Sequence, residues 1–406
     1  MPASDAPIAP RNWLNRTVLA LGLTSFLSDV SHEMGTAVLP LFLSTLSGGA
    51  AALGLIEGVA DFIMALGKLY GGAIGDRLER KKWATGGGYL LTTLGVGSYA
   101  LAGAWWQVLI GRSVAWFGRG YRGPLRDALM ADAADPKDYG KAFGLERAGD
   151  YAGAFVGPLI SAALLWLGLS LRHILALVVV PGALAALSVW VLVREAPHVN
   201  REAHRRIFTR LHEMPGPFKR YLLAVGCFSL GDFSNTFLIL WAANSSVAGG
   251  FASRNLTPIL LYAGYNAVST VVTYVAGSLS DRFGRRGLLL GGYLAAVAGA
   301  LVVAGGSTAL GVMVAVFALN GIAMGNKDAV EKAYAADFLA PHERSLGFGT
   351  LALVTGTGKL IASALVGVLW STVGVSAAFV TAAGLSTVGV VLLVALTRSL
   401  ARPQAA

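Results

Sequence analysis

The segment Gly72-Ala-Ile-Gly-Asp76-Arg77-Leu-Glu-Arg80-Lys81 returns 205 positions later as Gly277-Ser-Leu-Ser-Asp281-Arg282-Phe-Gly-Arg285-Arg286. The same offset relates Ala131-Asp132 to Ala336-Asp337, and Phe143-Gly144 to Phe348-Gly349. One offset that holds over most of a chain indicates two copies of a single unit joined head to tail. The fold is therefore expected to consist of two related halves.

Composition indicates which solvent surrounds those halves. Hydrophobic residues make up 55% of the chain, charged residues only 13%, and the mean hydropathy is +0.63. A soluble domain carries about 25% charged residues, so most of this surface cannot face water. Because backbone polar groups in lipid must be paired within each segment, and no strand-like alternation is present, the spanning segments should be helices. A duplicated, helical and apolar chain is typical of membrane transporters.

Apolar stretches of about 20 residues recur along the chain, and each is long enough to cross a hydrocarbon core of about 30 Å. We predict an all-α integral membrane protein with twelve transmembrane helices in two pseudosymmetric six-helix bundles. The bundles comprise residues 1–193 and 219–406, and a basic cytoplasmic linker, 194–218, joins them. The linker is either an amphipathic segment on the inner leaflet or a solvated connection. The predicted spans are 16–43, 51–74, 84–104, 106–131, 143–168, 173–193, 219–243, 257–279, 287–306, 308–334, 344–371 and 374–397.

Basic residues indicate how the chain is oriented in the membrane. The connections after spans 2, 4, 6, 8 and 10 are rich in Lys and Arg, whereas most of the opposite connections carry no charge. Lys and Arg accumulate on the cytoplasmic side, so both termini are predicted there, in the inner membrane of a bacterium. The net charge of +10 then reflects topology and not nucleic-acid binding. The single cysteine, Cys227, excludes an intrachain disulfide and a multi-cysteine metal site.

The two charged loops resemble the signature Gly-x-x-x-Asp-Arg-x-Gly-Arg-Arg/Lys of the major facilitator superfamily (MFS). The second copy matches fully, and the first has Glu79 where the family usually has Gly. The resemblance extends over essentially the whole chain and implies the MFS fold, with Asp132 and Asp337 as partners of the loop arginines. An alternative is that the basic residues only orient the chain. The candidate gating residues are Gly72, Asp76, Arg77, Arg80, Lys81, Asp132, Gly277, Asp281, Arg282, Arg285, Arg286 and Asp337.

The fifth span contains Gly153-Ala-Phe-Val-Gly157-Pro158-Leu-Ile-Ser161-Ala162. This segment resembles the Gly-x-x-x-Gly-Pro-x-x-Gly-Gly pattern in helix 5 of MFS antiporters, with Ser-Ala in place of the final glycines. Small residues at this spacing allow helices to approach closely. The resemblance implies export by proton antiport, and ordinary tight packing is the alternative.

The first span of each half carries a carboxylate. Ser28-Asp29-Val-Ser31-His32-Glu33 in the first half corresponds to Gly231-Asp232-Phe-Ser234-Asn235 in the second. An ionisable residue within a membrane usually faces the interior of the bundle and has a function. We therefore expect Asp29 and Asp232 to face each other across a central cavity.

The second span adds Glu57, Asp61 and Lys68, whose counterparts at the 205 offset, Tyr262, Asn266 and Thr273, are uncharged. A carboxyl group removed from water holds its proton more readily. The proton-coupling candidates are therefore Asp29, Glu33, Glu57 and Asp61. For each of them a structural ion pair is the alternative, for example Asp61 with Lys68 or with an arginine of the fourth span.

Charges also cluster in spans 4, 5 and 10. Glu146, Arg147 and Asp150 could neutralise the arginines of span 4, and Lys327–Glu331 and Asp328–Lys332 have the i,i+4 spacing of intrahelical ion pairs. The alternative is direct contact with an anionic or zwitterionic substrate. The four arginines of span 4 are Arg112, Arg119, Arg122 and Arg126. The cavity candidates are Asp29, His32, Arg119, Arg122, Asp150, Asp232, Asn235, Tyr262, Asn266, Lys327 and Glu331.

Enzyme motifs are incomplete. His32-Glu33 and His212-Glu213 both lack the second histidine of a helical zinc site, and the sequence around Lys359 lacks parts of a phosphate-binding loop. Without a nucleotide site, transport must use an ion gradient or the gradient of the substrate itself. We therefore predict no enzyme and no cofactor, but a monomeric secondary carrier of a small molecule or ion, coupled to protons.

The predicted activity is proton-coupled export of a small organic compound, charged or uncharged, by alternating access. Proton-coupled uptake is one alternative. Export of a divalent metal by Asp29, His32, Glu33 and Asp61 is another, because these side chains are suitable ligands. A different class of function, a non-transporting sensor or a lipid scramblase, would show no flux coupled to a proton gradient.

Overall fold

The computed structural model describes residues 13–75, 78–195, 214–245, 250–340 and 343–397. Fourteen α-helices form over these residues, and they account for the twelve predicted spans. Residues 196–213 of the predicted linker lie outside the described residues, so the proposed domain boundaries stay a prediction. The helices are α1 (Arg16–Thr45), α2 (Ala50–Gly75), α3 (Lys81–Gly97), α4 (Trp105–Ala133), α5 (Tyr139–Trp166), α6 (Leu171–Leu177), α7 (Val179–Leu192), α8 (Gly216–Ser229), α9 (Thr236–Ser245), α10 (Gly250–Phe283), α11 (Arg285–Ala304), α12 (Leu310–Ala336), α13 (Arg344–Thr372) and α14 (Val375–Thr397).

The two halves repeat one packing pattern. In the first half α2 packs on α4, α4 on α3, and α1 on both α5 and α7. In the second half α10 packs on α12, α12 on α11, and α8 on both α13 and α14. The predicted pair of pseudosymmetric six-helix bundles is therefore confirmed.

Two predicted spans are divided, which the sequence analysis did not foresee. The sixth span breaks at Val178, where Pro181 has no N–H to bond the carbonyl of Leu177. The seventh breaks between α8 and α9, over residues 230–235. Helix α3 also ends early, at Gly97, and a 3-10 turn, Ser98–Leu101, continues it.

Eight helical segments in the described part of the chain are long and apolar enough to cross a membrane. The other four predicted spans depart from this pattern for visible reasons. Helices α1 and α4 contain ionisable residues, α3 has only 17 residues, and α8 and α9 are two short pieces of one span. Large apolar side chains such as Leu101, Trp166 and Val373 lie on the outer surface, at 85%, 76% and 69% exposure. Such a surface is stable against lipid and not against water.

The halves meet through α2 with α13, α5 with α10, and α1 with α9. At one end of the molecule, which we call the closed end, residues 37–57 and 360–372 leave no gap between the halves. An apolar cluster there joins Leu39 and Leu53 to Phe237, Trp241 and Val366. The other end, which carries the loops after α2 and α4, is called the open end. The site described below lies between the two ends.

Candidate substrate cavity

A cavity of about 2850 Å³ lies between the bundles. It extends from Asp29 and Asp61, near the middle of α1 and α2, and Asp232, between α8 and α9, to Gly75 and Phe348 near the open end. None of the described residues of 37–57 or 360–372 lines it. The cavity is therefore accessible from one end only, as required of one conformation in an alternating-access cycle. Nine basic and seven acidic side chains line it, so it suits a charged solute.

Asp29 and Asp232, which were expected to face each other across the cavity, both line it. Each is paired with a cation from its own half. Arg119 Nη1 lies 3.2 Å from Asp29 Oδ1, and Lys327 Nζ contacts Asp232 Oδ2. Asp29 and Asp232 are therefore neutralised within their bundles and do not hold the two bundles together.

Asp232 reaches Lys327 because it lies in the break between α8 and α9. Gly231 makes that break possible, since a Cβ there would lie 2.2 Å from the Ala382 carbonyl oxygen of α14. The freed backbone N–H of Ser234 donates to Ser363 Oγ at 3.2 Å, which satisfies it within the protein. Irregular backbone at membrane depth is tolerated where it lines a cavity or is buried in protein.

Asp61 forms an ion pair across the two bundles. Its Oδ2 lies 3.7 Å from Nζ of Lys359, which belongs to α13 of the other half. The alternative partner considered above, Lys68, is not within ion-pair distance of any described carboxylate, and neither is a span-4 arginine within that distance of Asp61. Asp61 and Lys359 both line the cavity, so solutes and protons have access to this pair.

Glu33 also crosses the bundle interface. Tyr262 Oη of α10 donates to Glu33 Oε2 at 2.9 Å, and Nδ1 of His32 lies 3.2 Å from Glu33 Oε1. The His32 ring packs on Trp116 with a centroid distance of 4.7 Å. None of these residues lines the cavity; they lie in the packed layer toward the closed end.

Glu57 is held in a buried ion pair. Arg112 Nη2 donates to both of its carboxylate oxygens, at 2.8 and 2.9 Å, and both residues are at most 2% exposed. The Arg112 guanidinium stacks on Trp116 at 3.5 Å and donates to Thr36 Oγ1 at 3.3 Å. Of the two interpretations of Glu57, the geometry favours the structural ion pair over a proton site.

The glycines of α5 place the turns of α1 that carry the carboxylates. A Cβ at Gly153 would lie 2.5 Å from the Phe26 carbonyl oxygen and 3.0 Å from Asp29 Cβ. A Cβ at Gly157 would lie 2.9 Å from Glu33 Cβ. Pro158 continues α5 without ending it. Ser161, which replaces a glycine of the family pattern, donates to the Met34 carbonyl at 3.0 Å.

Of the four arginines of α4, only Arg126 pairs with the predicted carboxylates of α5 among the described residues, and the charges of α12 also depart from the prediction. Arg126 lies 2.5 Å from Glu146 and 3.8 Å from Asp150. The predicted i,i+4 pair of Lys327 with Glu331 is wrong, because Lys327 turns to the deeper carboxylate, Asp232. Glu331 instead accepts from Tyr293 Oη at 3.0 Å.

The companion i,i+4 pair, Asp328 with Lys332, does not form either. Neither residue lies within ion-pair distance of any described side chain of opposite charge. Both are exposed to the cavity, where water or a solute can compensate their charges.

The loop signature is described in part. Asp76 and Arg77 lie outside the described residues, and so does the side chain of Asp281. Arg285 Nη1 contacts Asp337 Oδ1, as the resemblance implied, whereas Asp132 pairs with Lys81 Nζ at 3.4 Å. Among the remaining candidates, Arg80 precedes α3 and Arg282 lies at the end of α10, and both are exposed. Arg286 donates to the Val394 carbonyl. Cβ atoms at Gly72 and Gly277 would contact no described atom within 4 Å.

Four predicted cavity residues lie elsewhere: His32, Asn235, Tyr262 and Asn266 are not among the lining residues. Asn235 donates to Tyr265 Oη at 2.6 Å, and Asn266 donates to the Ala154 carbonyl of the other half at 2.9 Å. Charged lining residues that the prediction omitted include Lys68, Arg126, Arg147, Asp328, Lys332 and Lys359. The sequence indicated that these residues deserve consideration, since each is a charged residue within or beside a predicted span. It does not show which of them face the cavity.

The four weak metal candidates are not brought together. Asp29 is occupied by Arg119 and Asp61 by Lys359, while His32 and Glu33 lie outside the cavity lining. In the described part of the chain, no three His, Cys, Asp or Glu side chains are close enough to hold a metal ion.

Comparison with known proteins agrees with this architecture. The family model of the Major Facilitator Superfamily matches residues 21–248 and 221–406. An uncharacterized MFS-type transporter of Methanocaldococcus jannaschii is 30% identical over 366 residues, which cover 88% of this chain and 89% of that protein. A Multidrug resistance protein, MdtH, of Photorhabdus laumondii is 32% identical over 124 residues, 30% of this chain and 31% of that protein.

Among solved structures, the nucleoside transporter NupG (D323A mutant) aligns with a TM-score of 0.78 at 14% identity. The alignment covers 94% of this chain and 100% of that one. At this identity the likeness shows the fold alone. The family match, the shared length with the archaeal relative and the two-bundle architecture lead to one conclusion: the chain belongs to the Major Facilitator Superfamily, as a multi-pass membrane protein and secondary transporter of small molecules.

Proposed function

We propose that the protein is a proton-coupled exporter, an antiporter that moves a small charged organic compound out of the cell by alternating access. The observation that carries the proposal is the ion pair of Asp61 with Lys359. It links the two bundles, and it borders the cavity in which protons and substrate arrive.

The cavity supports the alternating-access part of the proposal. It is open at the end that carries the basic loops, and side chains from both halves seal the other end. With the basic loops in the cytoplasm, as the positive-inside rule predicts, this conformation receives substrate from the cytoplasm. Export then requires the closed end to separate while the open end closes.

Protonation of Asp61 would act on the bundle interface directly. An ionised Asp61 attracts the ammonium group of Lys359 across the interface, and a protonated Asp61 does not. The proton would therefore weaken one of the contacts that join α2 to α13. Asp29 lines the same cavity beside Arg119 and is a second acceptor, whereas Glu33 and Glu57 are less accessible because they lie outside the lining.

Two observations favour export over uptake. The α5 glycines, which resemble the antiporter pattern, pack directly against the α1 turns of Asp29 and Glu33. The partial relative MdtH is named for multidrug resistance, which fits movement out of the cell. Proton-coupled uptake by symport is the second candidate function, because the same residues could serve it. The experiment below distinguishes export from uptake.

The test is transport in proteoliposomes with an imposed pH gradient, against a panel of organic acids, cationic drugs and divalent metals. We expect a charged organic compound to move in the direction opposite to the protons. An internal pH dye measures the entry of protons into the vesicle lumen. Asp61→Asn should lower gradient-driven flux at least tenfold while exchange without a gradient persists. Asp135→Asn, a change outside the cavity lining, is the matched control and should behave as wild type.

Each of the other outcomes would support a different function. Substrate and protons moving in the same direction would establish a symporter. Metal flux would restore the metal-export interpretation, and no coupled flux with any compound would favour a sensor or a scramblase. Full gradient-driven flux in Asp61→Asn would overturn the role given to that carboxylate.

A further inference from the structure

Charge is unevenly compensated along the cavity wall. Most lining charges are paired: Asp29 with Arg119, Asp61 with Lys359, and Asp232 with Lys327. Two lysines differ. Within the described residues, neither Lys68 of α2 nor Lys332 of α12 has a carboxylate within 4.0 Å, yet both line the cavity and are exposed to it.

The surroundings of Lys68 are mainly positive. Lys332, Arg119 and Lys359 line the same cavity and place positive charge near its ammonium group, and Asp61 of the same helix places a negative charge there. That negative charge is already engaged by Lys359. Like charges gathered in a partly desolvated cavity repel one another and create a positive potential that attracts anions.

Arg122, a third cation of the cavity lining, also has no carboxylate within 4.0 Å among the described residues. Arg122 is 4% exposed; it donates to Ser28 Oγ at 2.9 Å and stacks on Tyr89 at 3.8 Å, and its Nε has no described hydrogen-bond partner. Hydroxyl and ring contacts position the guanidinium without cancelling its charge. Arg122 therefore adds to the positive potential of the cavity, although it is not needed as a direct ligand.

We propose that Lys68 and Lys332 form an anion-binding subsite, and that the transported compound carries a compact acidic group, a carboxylate or a phosphate, that binds between them. This assignment rests on the proposed transport function and names the chemical class of its substrate. Lysine suits such a group as a strongly hydrated point charge with rotatable donors, and the flexible side chains accept acids of different shape.

The position of the subsite links binding to conformation. Lys68 belongs to the first bundle and Lys332 to the second, and both lie on the open side of the Asp61–Lys359 pair. In the empty cavity their repulsion opposes closure of the open end. An anion between them replaces repulsion with attraction to both bundles, so substrate binding favours the closure that transport requires.

The test measures binding without any gradient. Purified protein in detergent is heated with inorganic phosphate, with succinate or with chloride at equal ionic strength, and the unfolding midpoint Tm is recorded. We expect phosphate, succinate or both to raise Tm above the chloride value, because a ligand that binds the folded state stabilises it. Which of them does so distinguishes the two acidic groups.

Variants locate the site. Lys68→Gln and Lys332→Gln should each abolish the anion-dependent rise in Tm, while Lys137→Gln, an exposed lysine outside the cavity lining, should retain it. Without anions the two cavity variants should be at least as stable as wild type, since each removes repulsion. A rise in Tm that persists in both folded variants, or no rise in wild type with either anion, would overturn the subsite. Because no proton gradient is used, failure of proton coupling leaves this result unchanged.

Discussion

Two carboxylates of the same helix have different surroundings in this protein. Glu57 and Asp61 are one helical turn apart on α2, and both are acidic residues in an apolar span. The structure places Glu57 against Arg112 with two short hydrogen bonds and places Asp61 at the cavity, 3.7 Å from Lys359. The sequence predicted that both carboxylates lie within a membrane span. It did not predict their partners, because these depend on the rotation of α2 against α4 and α13.

The buried pair of Glu57 and Arg112 can be tested as a structural unit. Glu57→Leu or Arg112→Met alone leaves one charge buried without its partner, and we expect each to lower stability by about 3–5 kcal/mol. The double variant removes both charges and should recover most of that loss. Thermal unfolding in detergent measures the effect, and the folded double variant should keep its gradient-driven flux. A folded double variant that no longer couples flux to protons would show instead that Glu57 carries the coupling proton.

At the level of helices, the 205-residue repeat was a reliable guide to architecture. It predicts the two bundles, and the contacts of α2 with α4 and of α10 with α12 repeat accordingly. It did not predict the break between α8 and α9, although Gly231 and Asp232 mark that position. The apolar composition of a segment does not show how closely it packs on a neighbouring helix. Here the chain lies so close to α14 that even a Cβ at Gly231 would overlap a carbonyl oxygen.

Close packing of α5 on α1 is the element-scale feature that positions Asp29 and Glu33. A methyl group at Gly157 would approach the Val30 carbonyl oxygen at 2.8 Å and Glu33 Cβ at 2.9 Å. Gly157→Ala should therefore force the helices apart and lower stability by about 1–3 kcal/mol.

The control for this change lies on the same helix. A Cβ at Gly144 would contact no described atom within 4 Å, so Gly144→Ala should raise stability by about 0.5–1 kcal/mol through helix propensity. The two variants should shift Tm in opposite directions. Equal shifts would mean that contact with α1 does not limit the residue at 157.

For the whole molecule, the two largest interfaces between the bundles obey the same symmetry as the repeat. Helices α2 and α13 correspond to the spans 2 and 11, and α10 and α5 to the spans 8 and 5, so each contact is the image of the other. Symmetry explains why one pair of bundles can close at either end. It does not specify the substrate, because residues that differ between the halves, such as the charged Asp61 and the uncharged Asn266, occupy corresponding positions but have unrelated partners.

Alternating access makes a direct prediction about the closed end. There the backbone N–H of Ala51 donates to Ser371 Oγ of the other bundle at 3.0 Å, so the two residues are in contact across the interface and are the pair chosen for a disulfide cross-link. In a Cys227→Ala background, oxidised Ala51→Cys/Ser371→Cys should lose transport by more than tenfold, because the closed end can no longer separate. Reduction should restore the flux. Thr17→Cys/Arg194→Cys, at a position of α1 and a contacting position just after the first bundle, is the matched control. Its oxidation should leave transport intact because it joins no residue of the other bundle. Full transport by protein whose Ala51→Cys/Ser371→Cys bond is verified by mass spectrometry would mean that this end does not open during the cycle.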